Sequence, residues 1–328
     1  MLKNKTGFIS FILLLLLGIL LFWLSFRQIK LHEIILVLSK GNYEIAIPVF
    51  AISLTGYWFR IKRWQLMLNA IQLKAPSNQL FASLCVGYLV NYAFPRLGEI
   101  TRCLLLKRTA RLPVDKTLIT IIAERTFDTI CLLFLSLVAW IVYADLASDF
   151  FSRQIWNPLA QKFSNSIHFL IFIGAAFVLL ALLIWRLRKI SGNKMASKME
   201  EWKITFLNML NIELKSLFFL YTICIWSCYL LMTFLWFFIF DESSHLQLSD
   251  AFLVMIIGSI GRSIPIQGGG MGAYHFLVSQ SLLLFGIPLL TGNALALVIH
   301  GAQSILTFVT GIICYLWILV IFKQTPET

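Results

Sequence analysis

Arg262-Ser-Ile-Pro-Ile-Gln-Gly-Gly-Gly-Met-Gly272 lies inside an apolar region that runs from residue 251 to 290. It puts an arginine, a proline and four glycines where an unbroken membrane helix would be expected. Gly268, Gly269, Gly270 and Gly272 leave the backbone too permissive to hold a helix, and Pro265 removes an amide donor. In hydrocarbon such a break survives only where protein or a water-filled cavity satisfies the freed backbone groups. The stretch therefore predicts a polar lining at membrane depth.

Composition sets the class. Of 328 residues 59% are apolar and 13% charged, with a mean hydropathy of +0.84. A soluble domain carries roughly a quarter charged residues, so the chain reads as an all-α polytopic membrane protein. The formal charge of +12 fits short basic loops that set topology and touch anionic headgroups, not nucleic acid. The six cysteines form no Cys-x-x-Cys pair and read as small buried hydrophobes. No His-Glu-x-x-His, Gly-x-Ser-x-Gly or P-loop pattern occurs, so no soluble catalytic centre, metal or cofactor is expected.

Working outward, spans are expected at about 7–26, 44–59, 118–143, 167–185, 216–240 and 293–322, the first retained rather than cleaved. A mixed-charge loop is expected over 27–43. Residues 58–64, with Trp58 and Trp64 among Arg60, Lys62 and Arg63, read as an interfacial anchor. A second broken stretch, 79–106, is interrupted by Asn91-Tyr-Ala-Phe-Pro-Arg-Leu-Gly-Glu-Ile-Thr-Arg102 and flanked on both sides by basic clusters. A re-entrant hairpin turning near Pro95 keeps both clusters on one side. A cytoplasmic amphipathic segment is expected at about 186–215. The basic loops and Lys323 then fall inside and the acidic loops near 145 and 241 outside. That gives six spans, both termini cytoplasmic, and two hairpins entering from opposite faces.

Two broken segments, one in each half, point to an inverted repeat with a midplane site: repeat 1 at about 44–143 around hairpin 79–106, repeat 2 at about 216–322 around hairpin 251–290. Pro113 precedes Arg125 by twelve residues, and Pro288 precedes His300 by the same spacing. The ionisable groups expected at membrane depth are Arg96, Glu99, Arg102, Glu124, Arg125, Asp128, Arg262, His275 and His300. Such groups are expensive there and face a cavity, pair with one another or mark a substrate path. Arginines beside broken helices suit an anionic headgroup. An ion-pair cluster that merely holds the hairpins together is the alternative. Asn91, Pro95, Gly98, Pro265 and the four glycines would allow close backbone approach.

Four features in order carry a resemblance: Arg60-x-x-Arg-Trp64, Asn91-x-x-x-Pro-Arg-x-Gly-Glu-x-x-Arg102, Glu124-Arg-x-x-Asp128, and the glycine run after Pro265. From about residue 10 to 320 the chain resembles the lysylphosphatidylglycerol synthase transmembrane region, or flippase-like, family. In that family this region precedes a soluble aminoacyltransferase domain and is thought to move the aminoacylated lipid across the bilayer. Two positions depart from the family: His275 stands where Glu is frequent, and His300 near a frequent Arg. No aminoacyltransferase domain is among these residues, so synthesis of the lipid is not expected of this chain. The resemblance implies translocation of a phospholipid or related lipid across the cytoplasmic membrane. The other readings are an intramembrane transferase on a lipid or polyprenyl phosphate, with Glu99 or His275 as base, and a non-catalytic partner subunit. Membrane lipids, anionic or zwitterionic, are the expected partners, with a homodimer or a lipid-modifying enzyme as protein partner.

Overall fold

The computed structural model describes residues 3–27, 29–144 and 214–322. The fourth expected span, the amphipathic segment, Asp145 and Lys323 lie outside these residues. Among the described residues all regular structure is helical. The helices are α1 (Lys3–Phe26), α2 (Leu31–Ser39), α3 (Ala46–Ala70), α4 (Ser77–Ala93), α5 (Leu97–Ala110), α6 (Val114–Val142), α7 (Lys215–Trp236), α8 (Leu248–Ser263), α9 (Ala273–Leu283) and α10 (Leu289–Ile321). Of these, α6, α7 with the turn that follows it, and α10 are long and apolar enough to cross a bilayer; α1 and α2, bent by 78°, make a fourth candidate if taken as one span. Outward rows such as Leu133, Phe134, Leu137 and Ile141 on α6, or Ile305, Ile312, Ile313 and Val320 on α10, are exposed and apolar. Lipid is the solvent that suits them.

Two expectations are corrected. Residues 31–39 are helix and not loop, because Ile34 packs into the core beside Phe240, Leu246 and Ile287. Residues 44–59 do not end a span: α3 runs on to Ala70, carrying Arg60 and Arg63 with it.

Both broken stretches form helical hairpins. α4 ends at Ala93 because Phe94, which precedes a proline, is driven to extended geometry (φ −132°, ψ 98°). Arg96 then turns the chain in the left-handed region (φ 71°), a costly conformation for a residue with a Cβ. The Asn91 carboxamide holds the turn, its Oδ1 accepting the Gly98 amide at 2.7 Å. α8 and α9 are separated by Ile264 to Gly272, where Pro265 stops the first helix and four glycines have φ between 68° and 87°.

The open ends of the two hairpins lie at opposite ends of the bundle. One apolar cluster contains Val49 of α3, Ala251 of α8, Leu282 of α9 and Ala294 of α10; the other contains Leu68 of α3, Leu80 of α4, Leu106 of α5 and Ile318 of α10. α3 and α10 thus run from one cluster to the other, and each hairpin has its open end in a different one. The broken tips meet between them: Gly269 lies so close to α4 that a Cβ there would stand 3.1 Å from the Tyr92 ring. α1 is fastened to the second hairpin and α10, the Ser25 hydroxyl donating to Asn293 Oδ1 beside Ser279.

Close approach inside the first hairpin depends on glycine. A Cβ at Gly98 would collide with the Gly87 carbonyl oxygen, and one at Gly87 would stand 2.6 Å from Arg102 Cγ. Gly98→Ala should cost at least about 2 kcal/mol, the order of an overpacked core. Gly301→Ala, with nothing within 4 Å, should be neutral. Thermal unfolding in detergent measures both; equal melting temperatures would contradict the packing described.

Candidate functional site

Glu124 is the hub of a buried ion-pair cluster. Its Oε1 accepts from Arg60 Nη1 at 2.7 Å and its Oε2 from Arg102 Nη2 at 2.9 Å, with Arg63 Nη2 at 3.9 Å. One turn on, Asp128 pairs with Arg60 at 3.0 Å and with Arg63 at 2.6 Å. Neutral partners add to the shell: Arg60 Nε donates to the Tyr229 hydroxyl at 2.8 Å, and Arg63 Nη1 to Thr222 Oγ1 at 3.3 Å. The Arg102 guanidinium lies 4.0 Å over the Trp64 ring, and Trp64 Nε1 donates to Thr120 Oγ1 at 2.8 Å. Helices α3, α5, α6 and α7 are joined by these contacts.

Arg60 and Arg63 therefore do not anchor the chain at an interface. Their spacing of three puts them on one helical face, and that face looks inward. Lys62, which lies 4.6 Å over the Trp58 ring, keeps the snorkelling arrangement expected of the whole stretch. The inner cluster has Arg60, Arg63 and Arg102 against Glu124 and Asp128, three positive charges against two negative. It is also short of acceptors: Arg63 Nε, Arg102 Nε and Arg102 Nη1 are buried without partners.

The other expected residues separate into those with internal partners and those that are open. Glu99 accepts from Arg125 at 3.1 Å and from the Asn91 carboxamide at 3.4 Å. Arg125 still has 45% of its side chain exposed. Arg96 is exposed at the first tip, with no ion pair among the described residues.

At the second tip Arg262 is exposed and its guanidinium lies 4.4 Å over the Tyr274 ring. The buried His275 and His300 stand with ring centroids 4.9 Å apart. The Gly272 amide donates to His275 Nδ1 at 3.4 Å, and the His300 ring meets the backbone of Gly268 and Gly269. His300 Nε2 is buried with no partner. Tyr92 of α4 links the two tips: its ring is 6.4 Å from that of His300, and its hydroxyl is 2.9 Å from Ser304 Oγ. Among the described residues no group of three or more His, Cys, Asp or Glu could hold a metal ion. Pro95 and Pro265 stand at the two helix breaks.

Two arginines of α3 and two tyrosines, Tyr92 and Tyr274, were thus not among the expected site residues. The three-residue spacing of Arg60 and Arg63 was the usable signal. The tyrosines carry none, since each stands in an aromatic-rich helix.

A model of the lysylphosphatidylglycerol synthase TM region matches residues 11–311, nearly the whole chain. The chain belongs to that family. Among curated proteins it is similar to a UPF0104 membrane protein of Methanothermobacter thermautotrophicus, 27% identical over 134 residues, and to one of Methanocaldococcus jannaschii, 26% identical over 128. These alignments span 36% and 38% of this chain and 40% and 38% of the relatives' length. No solved structure matches it.

Removing one member of a buried charge network strands the others, at roughly 3–5 kcal/mol. Glu124→Gln, which leaves three guanidiniums short of a carboxylate, should lower stability by that order and reduce the yield of folded protein. Arg96→Gln should change neither. Denaturant unfolding in mild detergent compares them, and an unaltered Glu124→Gln protein would contradict the hub role.

Proposed function

We propose that this membrane protein of the lysylphosphatidylglycerol synthase TM region family translocates a phospholipid, or a related lipid, across the cytoplasmic membrane. The headgroup passes between the tips of two re-entrant hairpins of an inverted repeat while the acyl chains stay in the bilayer. In this reading the hairpins dip in from opposite faces, six spans complete the bundle, and both termini are cytoplasmic.

The observation that carries the reading is the meeting of two broken helices at Tyr92 and Gly269, with an exposed guanidinium beside each break, Arg96 and Arg262. Irregular backbone at membrane depth requires a polar surrounding, and a headgroup with its water supplies one. Of the arginines, Arg96 and Arg262 are exposed and have no ion pair among the described residues, and Arg125, paired with Glu99, is still 45% exposed; these three take the phosphate. Arg102 is stacked on Trp64 and paired with Glu124, so it positions the first hairpin and does not bind lipid. Glu124 and Asp128 do the same from α6. Glu99 orients Arg125, and its second oxygen, buried without a partner, can accept from a headgroup amine.

Purified protein in liposomes should speed the exposure of a labelled phospholipid on the opposite leaflet. A charged hydrogen bond contributes about 1.5–3 kcal/mol, so Arg262→Ala should slow that exchange by about tenfold or more. Its melting temperature should stay close to that of the parent, since the Arg262 side chain is exposed and its loss leaves the Tyr274 ring packed in the core. Full exchange in Arg262→Ala would remove Arg262 from the site.

A further inference from the structure

His275 and His300 are buried titratable groups to which no carboxylate is paired among the described residues. The imidazoles stand 4.9 Å apart, from α9 and α10. The groups that face them can be named for each packed element. α1 contributes Phe22 and Phe26, α4 contributes Tyr92, α9 contributes Tyr274, and the glycine turn contributes backbone only. From α8 comes Arg262, positive, with its guanidinium 4.4 Å over the Tyr274 ring, whose centroid is 5.6 Å from that of His300 and 6.0 Å from that of His275.

No carboxylate balances that charge. The Gly272 amide points at His275 Nδ1, which therefore accepts, and His300 Nε2 is 4% exposed by residue and unpartnered. Among the described residues the pocket thus holds one cation, the Gly272 amide donor, the Gly268 and Gly269 backbone as acceptors and a ring nitrogen without a partner, and it holds no carboxylate. An anion that arrives at Arg262 supplies the missing charge and makes room for one more proton. Two imidazoles at this separation hold one proton more readily than two, because like charges at close range repel.

We infer that binding of a lipid headgroup phosphate at Arg262 takes up one proton on the His275–His300 pair, so that lipid and proton occupy the site together. This rests on the translocation reading and gives it a coupling ion. The proton comes from bulk water, adds to an imidazole nitrogen and leaves when the phosphate leaves; no other bond forms or breaks. Linkage is reciprocal: if the phosphate favours the proton, the proton favours the phosphate. Affinity should then rise as pH falls, by at most about tenfold per unit for one linked proton.

The test is calorimetry on the full chain in detergent, repeated in two buffers of different ionisation enthalpy, from which the number of protons taken up is read. The probe is dihexanoyl phosphatidylglycerol, whose phosphodiester does not titrate near neutral pH; sulfate, equally non-titrating there, represents a free oxyanion. The expected result is uptake approaching one proton per lipid at pH 7 and a gain in affinity of more than about tenfold from pH 8 to pH 6. The double variant His275→Gln, His300→Gln should still bind through Arg262, with no proton uptake and a flat pH profile. If that variant does not fold, the parent protein's uptake decides alone.

Binding of the lipid with no proton taken up overturns the inference and leaves the translocation reading standing. Uptake with sulfate but not with the lipid overturns the assignment to a headgroup. Failure of both probes to bind overturns it as well, and absence of lipid exchange in liposomes would then overturn the translocation reading too.

Discussion

The carboxylate of Glu124, shared among three guanidiniums, is the contact on which the rest of the structure depends. Charges taken out of water are tolerable only when paired and hydrogen-bonded. Once Arg102 of the first hairpin must reach Glu124 of α6, and Arg60 and Arg63 of α3 must reach Glu124 and Asp128, the three elements have little freedom left. Arg102 also fixes the local packing of its own hairpin, since its stem crosses Gly87 and its head stacks on Trp64. The cluster is a frame: its groups have internal partners and little exposure, and they hold the tip at Pro95 where it can meet its counterpart.

The counterpart is built on a different principle. The second hairpin has no ion-pair network of its own among the described residues. Glycine–backbone contacts hold it: a Cβ at Gly272 would strike the Gly18 carbonyl oxygen, and one at Gly270 would stand 3.0 Å from Arg262 Cα. This glycine-rich tip beside one exposed arginine carries none of the buried ion pairs that tie the first hairpin to α3 and α6. The first hairpin is thus held by paired charges and the second by glycine contacts, with Arg262 exposed and the two histidines buried.

Much of this was legible in the sequence because breaks are local. Pro95, Pro265 and the glycine run announce helix ends through their own backbone chemistry, and both hairpins stand where those residues are. Glu124, Asp128 and Arg102 were legible as polar groups in an apolar setting. Arg60 and Arg63 were not, because arginine interleaved with tryptophan is also how a membrane-interface anchor reads. Only the partners on α6, some sixty residues away, decide between the two. α2 was hidden for a related reason: its polar ends mask an apolar face whose partner, the 237–240 turn and Leu246, is about two hundred residues distant. The use of histidine at 275 and 300 was visible, but their adjacency was not, since α9 and α10 are brought side by side only by packing.

The central claim is that two broken hairpins enter from opposite faces and meet in the middle. Sided labelling tests it most directly. With the six native cysteines replaced, Asn78→Cys at the open end of the first hairpin and Ser244→Cys near that of the second, both exposed positions, would be treated with a membrane-impermeant thiol reagent in sealed vesicles of known orientation. The expected result is labelling of one position only from the cytoplasmic side and of the other only from outside. Labelling of both from the same side would contradict the opposed-hairpin arrangement and the passage built on it.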